Sequence, residues 1–126
     1  MMAGAPRESV RLATSCSADT AAAIEIAVQE LVEAFHTRNA DCAHAAVTLV
    51  IFTATADLHA AKPAAAARRA GWSAAQFMCL AEMPINDDVP LCIRALVYVE
   101  RVKTTSPLRP VYLREAQRLR PDLVGD

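Results

Sequence analysis

Arg11, Cys79, Glu82, Arg94, Tyr112 and Arg120 stand one at a time in stretches that are otherwise apolar and read as strand or helix. Arg94 is the sharpest case. It lies inside the run 91–102, where period-two alternation puts it on one face with Cys92, Leu96 and Tyr98 while Ile93, Ala95 and Val97 turn to the other. A guanidinium partly buried in a strand costs free energy unless a carboxylate or an anionic ligand answers it. Because arginine's planar fork matches carboxylate geometry, the set as a whole reads as a pocket for a small anion. Glu82 and Cys79 are three positions apart, which puts them on opposite faces of a regular strand. For both to meet one ligand the strand must bulge or end between them, and Pro84 favours an ending nearby.

Composition narrows the setting. The chain has 126 residues and 54% apolar content, enough for one core and one domain, 1–126, with residues 1–8 expected to be flexible. The net charge of −1 gives no global field for nucleic acid or an anionic membrane, so any anion site is local. Cys16, Cys42, Cys79 and Cys92 show no C-x-x-C spacing and lie in separate segments, so neither a zinc site nor a disulfide framework is expected. A reducing, cytoplasmic location fits that usage, and the N-terminal residues lack the pattern of a secretory signal. His36 and His44 have no metal-ligand partners at suitable spacing and read as surface or cap residues. No metal and no cofactor are expected.

The elements that must position these residues can be placed in outline. Residues 9–14 suit a short strand carrying Arg11, with Ser17 or Asp19 offering a helix N-cap. Ile24, Val28, Leu31, Val32 and Phe35 recur at helical spacing and predict a helix over 20–38 with one buried face. The apolar run 45–53 predicts a strand covered on both faces. Pro63 suits a first helical position and Gly71 a helix end, bracketing a second helix. Residues 76–83 and 91–102 read as strands pairing in a hairpin across the turn signal Asn86-Asp87-Asp88, followed by a loop at 104–107. A last short helix is expected over 109–119. The fold class is α/β, or mixed α+β: a small sheet with helices packed on one side.

Several words in the sequence carry a resemblance. They are Thr-Ala-Thr-Ala-Asp-Leu-His-Ala at 53–60, Gly71-Trp72, Met-Cys-Leu-Ala-Glu-Met at 78–83, Cys-Ile-Arg at 92–94, and Val-Tyr-Leu-Arg-Glu-Ala-Gln-Arg-Leu-Arg-Pro-Asp-Leu at 111–123. In order and spacing they resemble the AroH-type monofunctional chorismate mutases over 10–123. The resemblance implies a trimeric pseudo-barrel with pockets between subunits of a homotrimer. It implies an isomerase that rearranges chorismate to prephenate, a small anionic cyclic substrate, without a cofactor. Arg94 would face the ether oxygen that gains charge as the carbon–oxygen bond breaks, with Glu82 and Cys79 at the ring hydroxyl. Arg11, Tyr112 and Arg120 would meet carboxylates, and Arg68 matches a further family position. Such a rearrangement moves no proton, so His59 is expected to serve as a loop or interface hydrogen-bonder.

The chain departs from the family pattern at Lys62, where an aromatic residue is usual, at Ala65, where a lysine is usual, and at Leu12, where a glycine follows the arginine. Phe77 is also bulkier than the family norm. Lys62 lies one helical turn before Ala65 and could return the missing ammonium to the same region. These changes touch the wall and entrance of the pocket and keep two other readings open. One is a repurposed member that guides another pericyclic or cyclisation reaction, such as a cycloaddition, in secondary metabolism. The other is a non-catalytic ligand-binding or scaffold protein.

Overall fold

The computed structural model describes residues 7–101 and 106–123. Most of the expected loose N-terminus and part of the 104–107 loop lie outside them. Strands β1 (Arg7–Ser15), β2 (Val47–Ala54), β3 (Gln76–Ala81), β4 (Cys92–Glu100) and β5 (Val111–Tyr112) form one mixed sheet in the order β3-β2-β4-β1-β5. Helices α1 (Ala21–Arg38) and α2 (Pro63–Arg69) share a single core with one face of that sheet.

The alternation expected for β4 holds. Ile93, Ala95, Val97 and Val99 are buried in the helix-side core, and Arg94, Leu96 and Tyr98 are half-exposed on the other face. Helix α1 buries Ile24, Val28, Leu31, Val32 and Phe35 as its periodicity predicts. Its N-cap is Thr20, whose hydroxyl accepts from Ala23 N–H at 3.1 Å, rather than Ser17 or Asp19. Asp19 serves the neighbouring loop instead, accepting the His59 and Ala60 N–H groups at 2.8 and 2.9 Å and meeting His59 Nδ1 at 3.1 Å. His59 is thus a loop hydrogen-bonder. Pro63 opens α2, and Gly71 follows its end at φ 127°, where an added Cβ would also lie 2.5 Å from a His44 ring carbon.

Three expectations need correction. Strands β3 and β4 do not form a hairpin, because β2 lies between them: β3 runs parallel to β2, reached through the α2 crossover, and β4 runs antiparallel to both β2 and β1. Strand β2 is covered on one face only; Val47, Val50 and Phe52 are buried, and Leu49, Ile51 and Thr53 are half-exposed on the other. The segment 109–119 is not an α-helix. Val111 and Tyr112 pair with Leu12 and Ala13 of β1, and a 3-10 stretch, Arg114–Leu119, follows, opening at Arg114 with φ 52°.

His36 and His44 are more than surface caps. Trp72, fully buried, donates its indole N–H to His36 Nε2 at 2.8 Å, which leaves His36 Nδ1–H to donate to the Cys42 carbonyl at 2.9 Å. The His44 ring stacks on His36 with centroids 3.7 Å apart. Burial, with the His44 charge adding to it against the Cys42 hydrogen bond, holds the His36 imidazole below its ordinary range. The native state therefore binds this proton less readily than the unfolded chain. The stabilisation is complete above the unfolded value of about 6.5 and fades as pH falls through it. Thermal melts from about pH 8 down to about pH 5 should show a loss of stability that is smaller in His36→Gln, whose amide keeps hydrogen-bonding capacity without titrating. Equal losses in both proteins would remove His36 as the cause.

Candidate active site

On the open face of the sheet the register builds two rows. Thr53 of β2, Arg94 of β4, Ala13 of β1 and Tyr112 of β5 are direct cross-strand neighbours in the first, and Ile51, Leu96 and Arg11 in the second. Ala13 is the small member that leaves room between the Arg94 and Tyr112 side chains. A cavity of about 460 Å³ lies over these rows and is bordered by Glu82, Leu119 and Arg120. Its volume is in the range of small-molecule sites.

Each wall is fixed locally. Below Tyr112, Ala13, Val89, Cys92 and Ala116 form a small apolar cluster that carries Tyr112 and Leu119. Leu113 N–H bonds the Ala13 carbonyl at 2.9 Å, and Glu115 N–H bonds the Ser15 hydroxyl at 3.1 Å, tying the 3-10 stretch to β1. Arg114 reaches out to Glu30 of α1 at 2.9 and 3.0 Å, and this pairing draws the Glu30 carboxyl below its usual range. Arg120 is paired with Asp122 at 3.0 and 2.9 Å at the cavity mouth. Arg11 is exposed, lines the cavity and makes no hydrogen bond or ion pair with a described residue.

Arg94 is answered from inside the protein. Its Nη2 donates to both Asp88 oxygens at 3.0 and 3.2 Å, while its Nε lies 3.5 Å from Glu82 Oε1 without hydrogen-bond geometry. Glu82 accepts a hydrogen bond from the Thr53 hydroxyl through that same oxygen. The Arg94 side chain remains 36% exposed, toward the cavity. Burial pushes the neighbouring Cys92 thiol up to about 11 despite the Arg94 charge, so it stays a neutral part of the floor. Asp88 escaped the sequence reading because Asn86-Asp87-Asp88 carries every mark of a turn.

The remaining predicted residues are not in this cavity. Strand β3 ends at Ala81, yet Glu82 N–H still bonds the Ala54 carbonyl at 2.9 Å, so the alternation runs on. Cys79 consequently faces the helix-side core while Glu82 faces the cavity. Cys79 instead borders a separate hollow with Lys62, His59 and Leu80. Arg68 lies over the Phe77 ring at 5.1 Å, and Phe77 stacks on Phe52. Leu12 is buried in the core, so its bulk points away from Arg11's side chain. Among the described residues no group of three or more His, Cys, Asp or Glu side chains is placed to hold a metal ion.

The family model for chorismate mutase type I matches residues 8–123. The chain belongs to the type I, or AroH, chorismate mutase family. Among curated relatives it is similar to chorismate mutase AroH of Thermus thermophilus, 38% identical over 114 residues that cover 90% of this chain and 93% of that one. Chorismate mutase AroH of Bacillus subtilis strain 168 is 34% identical over 97 residues, covering 76% and 72%. A solved chorismate mutase from Clostridium thermocellum superposes with a TM-score of 0.80 at 33% identity, covering 88% of this chain and 98% of that one. The type I chorismate mutases are isomerases, and the sheet with helices on one side is their fold.

Proposed function

We propose that this chorismate mutase family member rearranges chorismate to prephenate in the open-face cavity. The observation that carries the reading is Arg94: a strand guanidinium whose charge borders a cavity shared with Glu82, Tyr112, Arg120 and Arg11, the last unpaired among the described residues. In the rearrangement one carbon–oxygen bond breaks as one carbon–carbon bond forms within the same molecule, so no proton has to move. Arg94 stabilises the negative charge that grows on the ether oxygen, an interaction stronger in the transition state than with bound substrate. Glu82, oriented by Thr53, accepts from the ring hydroxyl. Arg11, Tyr112 and Arg120 hold carboxylates and so keep the substrate in its folded, reactive shape.

Cys79, Lys62 and Arg68 reach a ligand in this reading from a neighbouring copy of the chain. Two features support assembly: those residues lie off the cavity of their own chain, and the open face exposes Met78 and Leu80 on β3 at 55% and 48%. A homotrimer is the arrangement the family resemblance implies. A cytoplasmic location is part of the same reading and is supported by four free cysteines.

The test is to mix purified protein with chorismate and follow its disappearance beside an Arg11→Ala variant. Wild-type turnover is expected, with the variant's KM raised about tenfold and kcat less affected, as for loss of one charge-assisted contact at an exposed position. A folded protein that binds a cyclic dicarboxylate mimic but leaves chorismate intact would point to the repurposed pericyclic or cyclisation reading. No binding of either compound would leave the scaffold reading.

A further inference from the structure

Two carboxylates flank the Arg94 guanidinium, and they hold it unequally. Asp88 takes Nη2 with both oxygens, whereas Glu82 is close to Nε without bonding it. Asp88 is itself rigidly placed. Its Oδ1 also accepts the Val89 N–H at 2.9 Å, and Val89 is buried in the cluster beneath the cavity. Just beyond, Leu91 N–H bonds Asp57 at 3.0 Å, Cys92 N–H bonds the Thr55 hydroxyl at 2.9 Å, and the Leu91 carbonyl accepts Cys16 N–H at 2.8 Å. Asp87 and Leu91, on either side of it, adopt φ of 62° and 49°. A loop that accepts left-handed backbone at two non-glycine positions is over-determined by its anchors.

We propose that Asp88 is a positioning residue for Arg94: it tethers the far edge of the guanidinium so that the group cannot fold onto Glu82. A free arginine side chain 3.5 Å from a carboxylate would close into a bidentate pair. That pair would occupy, at once, the charge needed at the breaking bond and the acceptor needed by the ring hydroxyl. With Nη2 held by Asp88, Nη1 bears neither of those hydrogen bonds and Glu82 keeps its second oxygen for the ligand. The inference rests on the chorismate reading for its kinetic consequence, though the tether itself is independent of substrate.

The experiment compares wild type, Asp88→Ala and Asp88→Asn by chorismate kinetics, thermal melting and side-chain NMR of the arginine guanidinium groups. The Arg94 signals are assigned by their absence in Arg94→Lys. Asp88→Ala is expected to lower kcat about 10- to 100-fold with KM changed less than about threefold, the scale of a small displacement of a reacting group. The Arg94 Nη2 signal should lose its hydrogen-bonded shift and slow rotation. Asp88→Asn, which keeps an acceptor oxygen and the Val89 bond, should lose only about threefold in kcat and retain part of the NMR signature. A folded Asp88→Ala with kcat unchanged or raised overturns the proposal, and a rise would make Asp88 a competitor of the substrate. If the alanine variant does not fold, Asp88→Asn decides, and wild-type kcat with wild-type Arg94 signals overturns the proposal. If wild type leaves chorismate intact while Asp88→Ala still frees the Arg94 signals, the chorismate reading fails and the tether stands.

Discussion

Arg94→Ala is expected to lower kcat on chorismate about 10²–10³-fold, equivalent to about 3–4 kcal/mol of transition-state stabilisation. The magnitude follows from what the side chain does alone. Among the groups lining the cavity it is the one cation set in the middle of the sheet, between Thr53 and Ala13. KM should move far less, because in the proposed reading the carboxylates are held by Arg11, Tyr112 and Arg120, which the substitution leaves in place. The variant also leaves Glu82 and Asp88 facing a cavity without their counter-charge, so a melting curve must accompany the kinetics. Arg94→Lys separates charge from geometry: an ammonium keeps the charge but lacks the planar fork that fixes Nη2 on Asp88 and directs the remaining N–H groups, and it should recover only part of the loss. Turnover by a folded Arg94→Ala within tenfold of wild type would remove Arg94 from the mechanism.

Trp72→Ala should be the most damaging change outside the cavity, costing about 3–5 kcal/mol, the range for removing a large aromatic from a closed core. Trp72 is 0% exposed, meets Phe35 edge-on with centroids 5.9 Å apart, and supplies the N–H that satisfies His36. Its loss leaves a cavity and an orphaned imidazole nitrogen at the place where the end of α1 meets the segment after α2. Domains of this size have about 5–15 kcal/mol in total, so the variant should melt about 10–20 °C lower or fail to accumulate folded. Trp72→Phe keeps much of the volume and drops only the hydrogen bond, and about 1–2 kcal/mol is expected. A melting temperature for Trp72→Ala within a few degrees of wild type would show that the site collapses without cost.

What could be read from the sequence was what depends on near neighbours along the chain. The face of Arg94 follows from alternation in β4, the buried stripe of α1 from its 3.6-residue period, and the limits of α2 from Pro63 and Gly71. Strand order was not legible in the same way. Strands β3 and β4 are adjacent in sequence with a turn signal between them, and nothing local reveals that β2 takes the place between them. Tyr112 lies in a strand of two residues, too short for any periodicity to show. The 36-residue separation of His36 and Trp72 hides their hydrogen bond, just as the turn composition of 86–88 hides the carboxylate that holds Arg94. Cys79 and Glu82 are instructive in the other direction. Their three-residue spacing already implies opposite faces, and the structure places them so, although the family resemblance assigns both to one ligand.

The cavity takes its polar groups from separate segments: Arg11 from β1, Thr53 from β2, Arg94 from β4 and Tyr112 from β5, with Glu82 just past β3 and Arg120 after the 3-10 stretch. Its two central rows exist only when β1 has found β4, with Arg7 opposite Glu100 and Ser15 opposite Cys92. Such distant pairings come late and slowly, since loop closure must precede any gain from contact. A nascent chain still lacking residue 112 has no means of finishing the chamber, however well its helices have formed. In the proposed reading, affinity for a ligand in this chamber therefore requires the β1–β4 and β1–β5 pairings together, and helix content alone does not report it.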